Sequence, residues 1–176
     1  MSDASALLVI DMQAGLLHGP QVPHDKTRLI ANIAHLVTTA RAQQVPVYFA
    51  QHTGPADSPI AAGSERWQLA AELPLAQTDR CFNKSHPSCF AGTPLLAWLQ
   101  ASGVKRLTIV GMKTEYCVDT TCRAAADLGF EVVLVSDAHS TTDSEVLAAE
   151  QIIAHHNATL AGPFVRLVKT QALSFA

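Results

Sequence analysis

The chain has 176 residues, of which 48% are apolar and 15% charged, with a formal net charge of −3. That length holds one core of ordinary size, and that apolar content excludes a disordered chain. Weak acidity with no run of Lys or Arg gives no basis for a nucleic-acid groove or for binding an anionic membrane surface.

MSDASALLVIDMQ opens the chain with no basic residue before its apolar stretch, which stops at Asp11. Neither a signal peptide nor a spanning helix is expected, and the protein reads as cytoplasmic. ALLVID at 6–11 predicts a buried strand. Leu29, Ile30, Ile33, Leu36, Val37 and Ala40 recur at helical spacing and predict a helix over 26–44. Residues 45–50 read as a second strand that tolerates Pro46 near its start. The Gly/Pro/Ser-rich stretch 52–66 predicts a loop, either a lid or a subunit contact, and 67–73 a short helix. A weak third strand follows at 80–84. Pro94 suits the first turn of a helix over 93–101. RLTIVG at 106–111 is a strand, 116–128 a helix closed by Gly129, EVVLVSD at 131–137 a strand, 143–160 a long helix, and FVRLV at 164–168 a last strand.

Strands that are apolar throughout and separated by helices imply a parallel sheet covered on both faces. The expected fold is α/β, a three-layer α/β/α sandwich with a six-stranded, mainly parallel, Rossmann-like sheet. It is read as one domain over 1–176. An eight-fold barrel needs roughly 250 residues and is too long for this chain.

Ligands of open α/β sheets bind beyond the carboxyl ends of the strands. That rim collects Asp11 and Gln13 after strand one, His52 after strand two, and Lys84 and His86 after strand three. Cys117 follows strand four, and His139 follows strand five. A carboxylate at a buried strand end either caps the next turn or has a partner. Most lysines are solvated, so Lys84 gains meaning only from its neighbours. Cys117 lies in the first turn of a helix, where unpaired N–H groups and the dipole favour a thiolate. It is either a nucleophile served by a carboxylate and an ammonium, or a small buried hydrophobe. Cys122 shares neither an i+3 nor an i+4 relation with Cys117 and reads as a packing residue, as do Cys81 and Cys89. No CxxC pair occurs, so neither a disulfide scaffold nor a zinc knuckle is expected.

Four stretches in order, LLVIDMQ (7–13), KSHPSCFAGTPL (84–95), VGMKTEYCVDTT (110–121) and GFEVVLVSDA (129–138), resemble the isochorismatase-like cysteine hydrolases. That family includes nicotinamidases and N-carbamoyl amidohydrolases. EQIIAHHNATLAG (150–162) is similar to its late helix. The resemblance implies a catalytic Asp11, Lys84 and Cys117. It also implies a cis peptide between Met112 and Lys113, and an oxyanion hole from the N–H groups of Lys113 and Cys117. The implied reaction is hydrolysis of a C–N bond in a small amide, carbamoyl or lactam substrate through an acyl-enzyme, with no cofactor, in a homo-oligomer (dimer or tetramer). Nicotinamidases carry an Asp-x-His metal pair after strand two. Here AQHTGPADSP keeps only His52, so no metal is expected. Gln13, His52, Trp67, His86, Tyr116 and His139 are candidates for the pocket. The Lys113 ammonium points either to solvent or toward an anionic substrate. Vinyl-ether hydrolysis, a thiol redox protein and a non-catalytic member of the fold are the competing functions.

Overall fold

The computed structural model describes residues 4–175. Six parallel strands form one sheet: β1 (Ala4–Ile10), β2 (Val47–His52), β3 (Arg80–Lys84), β4 (Val104–Met112), β5 (Glu131–Ser140) and β6 (Arg166–Val168), in the order β3-β2-β1-β4-β5-β6. The helices are α1 (Ala14–Leu17), α2 (Lys26–Ala42), α3 (Leu95–Ala101), α4 (Asp119–Asp127) and α5 (Ala149–Leu160). Alternate β1 side chains enter two cores. Leu7 and Val9 pack against Leu29, Ile33, Leu36 and Val37 of α2, and Leu8 and Ile10 share the other core with Leu95, Leu99, Cys122 and Leu160. The architecture is therefore the expected three-layer α/β/α sandwich. Among the described residues no helix is long and apolar enough to cross a membrane.

The strand order reverses between β1 and β4, and the crevice at such a switch point is where α/β sheets place ligands. Ile10 pairs with Gly111 across this boundary. Gly111 has φ 122°, and a Cβ there would stand 2.1 Å from the Ile10 carbonyl oxygen. Only glycine lets the two strands meet at that spot. On the far side of β4, Ile109 pairs with Leu134 and Gly111 with His139, so β5 carries extra residues opposite Val110. This bulge takes β5 on to Ser140, three residues past the predicted end.

Other local expectations need correction. Residues 67–73 are not a helix. A single tight turn at Glu65–Trp67, capped by Ser64, leads into an extended segment where Leu69 bridges Gln13. The last long helix starts at Ala149, not Asp143. Ser144 binds the Val146 and Leu147 N–H groups, and Asp143 Oδ1 accepts from Ala149 N at 2.8 Å, so the polar run caps the helix from outside it. β2 begins at Val47, one residue after Pro46. The helix expected from Tyr116 begins as a wide turn at Thr114–Val118, whose Val118 N–H reaches back to the Lys113 carbonyl at 3.2 Å.

Candidate active site

Asp11 follows β1 directly and takes the left-handed conformation, φ 50°, which Asp tolerates better than most residues. Its N–H donates to the Ala50 carbonyl at 3.0 Å, so the backbone is fixed while the side chain turns off the sheet end. Lys84 ends β3 beside His52 of β2. Its stem passes the end of β2, and its ammonium lies 2.8 Å from Asp11 Oδ2, 3.1 Å from Cys117 Sγ and 3.3 Å from His52 Nδ1. The His86 carbonyl accepts from it at 3.2 Å. Asp11 and Lys84 are buried, and Cys117 is 9% exposed, at the floor of a cavity of about 240 Å³. The Met112–Lys113 peptide is cis, at the position that the resemblance implies.

Burial dominates the electrostatics. It raises the Asp11 carboxyl above its ordinary range, although Lys84 pulls the other way. It would lower the Lys84 ammonium, but Asp11 and the thiols of Cys89 and Cys117 outweigh it, and the ammonium stays charged. Cys117 is pushed up to about 12 by burial and then by the Asp11 charge, against Lys84. Burial and the Asp11 charge thus oppose a thiolate at the helix mouth, while Lys84 favours one. Moving the thiol proton to Asp11 leaves the net charge unchanged, and Lys84 stays against whichever anion results. Asp11 Oδ1 is buried with no other partner among the described residues.

Asp11, His52 and Cys117 each offer a donor atom within 4.8 Å of the others, a spacing suited to a metal. The Lys84 ammonium stands against all three residues, so a metal ion there would meet its charge at close range. The donor set fits the cation that the chain itself supplies.

Of the pocket candidates, His52 and Tyr116 line the cavity. Gln13, Trp67, His86 and His139 stand outside its lining. Gln13 is fully buried and clamps the end of β2: its Nε2 donates to the His52 and Trp67 carbonyls, and its Oε1 accepts from His52 N at 2.8 Å. Trp67 Nε1 donates to Thr53 Oγ1 at 2.9 Å. His86 is exposed, and its carbonyl accepts from Lys84. Leu16, Ile60 and Pro87 complete the apolar wall, and sequence reasoning missed them. Ile60 had a signal, being the single large aliphatic residue in the 52–66 loop.

His139 is buried between Thr114 Oγ1 at 2.9 Å from Nδ1 and Asn157 Oδ1 at 2.9 Å from Nε2. Asn157 Nδ2 faces the Ser136 carbonyl, so its Oδ1 meets an Nε2–H, and Thr114 donates to Nδ1. Burial holds this imidazole neutral, lowering it from 6.5 to about 4. Below pH 6.5 the unfolded chain binds a proton that the folded one refuses, so stability falls with pH down to about 4. The loss expected is about 3 kcal/mol. Urea midpoints at pH 7.5 and 4.5 should show a smaller difference in His139→Gln than in the wild type, and equal differences would refute the assignment.

Known proteins are similar to this chain in sequence and fold. Residues 5–161 match the Isochorismatase domain model. A secreted isochorismatase effector of Verticillium dahliae is 29% identical over 97% of this chain and 90% of its own length. A streptothricin hydrolase of Streptomyces noursei is 34% identical over 78% of this chain and 55% of its own, so this chain spans about half of that relative. A crystal structure of an isochorismatase family protein, 34% identical, superposes with a TM-score of 0.90 over 96% of this chain and 100% of its own.

Proposed function

The chain belongs to the isochorismatase family, and from that premise we propose that it is a hydrolase that cleaves the C–N bond of a small amide, carbamoyl or lactam compound through a thioester on Cys117. The observation that carries this reading is the Lys84 ammonium, held 2.8 Å from Asp11 Oδ2 and 3.1 Å from Cys117 Sγ. It ties a base to a nucleophile in a buried site beside an open cavity.

Asp11 accepts the Cys117 proton as sulfur attacks the carbonyl carbon. The N–H groups of Lys113 and Cys117 are assigned to the developing oxyanion. Asp11 returns the proton to the leaving nitrogen, the C–N bond breaks, and an amine departs. Water then attacks the thioester, giving its proton to Asp11. The acid leaves, and sulfur recovers its proton. The negative charge rests on Asp11 beside Lys84, passes to the oxyanion in each tetrahedral intermediate and returns, so the net charge of the buried site does not change. A relative named for hydrolysing streptothricin supports hydrolysis as the reaction class.

The test is a panel of small amides, carbamoyl compounds and lactams, quenched in acid during turnover. A substrate should release amine or open its ring and leave an acyl mass increment on the peptide that holds Cys117. Turnover with no adduct and no C–N cleavage would remove this reading in favour of vinyl-ether hydrolysis.

A further inference from the structure

We propose that the Lys113 side chain selects substrates that carry a negative charge, such as a carboxylate, on an apolar body; this rests on Cys117 being the nucleophile. Lys113 lines the same cavity as Cys117. Its ammonium donates to Thr142 Oγ1 at 2.9 Å, and Thr142 in turn donates to Gln21 Oε1 at 3.4 Å. That chain fixes the ammonium while using one of its three N–H donors. No carboxylate forms an ion pair with it among the described residues. Glu115, the acidic group nearest in sequence, instead accepts from Thr141 Oγ1 at 2.8 Å.

The charge balance of the cavity makes this cation decisive. Lys84 is neutralised by the single anion that Asp11 and Cys117 share. His52 is kept neutral by burial and by the Lys84 charge. Lys113 then leaves the lining one positive charge in excess. The lining also includes Leu16, Ile60, Pro87 and Tyr116, which offer no further charged group. A neutral polar substrate would leave the cation unmatched. A monoanion with an apolar or planar body would satisfy both the wall and the charge.

Cys117 itself can report this without knowledge of the natural substrate. Iodoacetate and iodoacetamide both alkylate a thiolate and differ mainly by one charge. The ratio of their rates at Cys117, measured by peptide mass, cancels any change in thiol reactivity. Lys113→Met is expected to lower the iodoacetate-to-iodoacetamide ratio by about fivefold, and Lys113→Arg to keep it. In the wild type, raising the ionic strength should move the ratio toward the Lys113→Met value. An unchanged ratio in Lys113→Met, an equal fall in Lys113→Arg, or a wild-type ratio indifferent to salt would overturn the inference. Alkylation of Cys117 by neither reagent would remove the nucleophile reading, and this inference with it.

Discussion

Cys117→Ala is expected to abolish turnover, by roughly 10⁴-fold or more, while leaving the fold in place. Cys117 lines the cavity and is 9% exposed, so loss of its sulfur enlarges an existing opening and leaves no sealed void. Lys84 keeps the Asp11 carboxylate and the His86 carbonyl as acceptors. No buried charge loses its partner, and the unfolding free energy should move by less than about 1 kcal/mol. Substantial activity surviving in a folded Cys117→Ala protein would sink the mechanism. A redox pair of Cys117 with Cys89 or Cys122 would also fail in Cys117→Ala, so turnover that persists in Cys89→Ala and in Cys122→Ala is what excludes it. Both thiols are fully buried, and burial raises them well above their ordinary range.

The sheet was legible because parallel strands covered on both faces are written as continuous apolar runs. ALLVI, RLTIV and EVVLV need no partner to be recognised. The rim was legible from the same runs, since Asp11 and Ser136 stop two of them and Gly111 the third. Asp11, Lys84 and Cys117 could be nominated from those ends. That one ammonium touches the other two depends on strand order and side-chain reach, which are long-range properties. The failures share a cause. β5 continues through Asp137-Ala138-His139-Ser140 because a bulge realigns it against Gly111, and polar residues there carry no strand pattern. Residues 143–148 look like the start of a helix, but their side chains bind backbone groups locally and delay it. Gln13, read as a rim residue, and Trp67, read as a pocket-wall candidate, both bond at the end of β2 and stand outside the cavity lining. A buried glutamine that holds the backbone of His52, 39 residues away, leaves no mark in local sequence.

Lys84→Met should reduce turnover about as severely as losing the base, roughly 10²- to 10⁴-fold, though the nucleophile and the carboxylate both remain. Burial already raises Asp11, and the ammonium 2.8 Å away is the main influence against it. Without that cation the carboxyl is raised further and keeps its proton to higher pH, so the thiol more often faces an acid in place of a base. Any residual activity should therefore appear at higher pH than in the wild type, with the acid limb of the pH–rate profile moved upward. Stability should follow the opposite course. In this variant the folded Asp11 binds its proton far more tightly than the unfolded chain, whose ordinary value is 3.8. Its stability is then greatest below that value and declines as pH rises toward the folded one. Adding Asp11→Asn removes the group responsible, so the double variant should regain stability at pH 8 without regaining turnover. Denaturant midpoints and rates on the four members of that cycle separate the two effects. Turnover within tenfold of wild type in Lys84→Met would show that the ammonium is not what couples the carboxylate to the thiol.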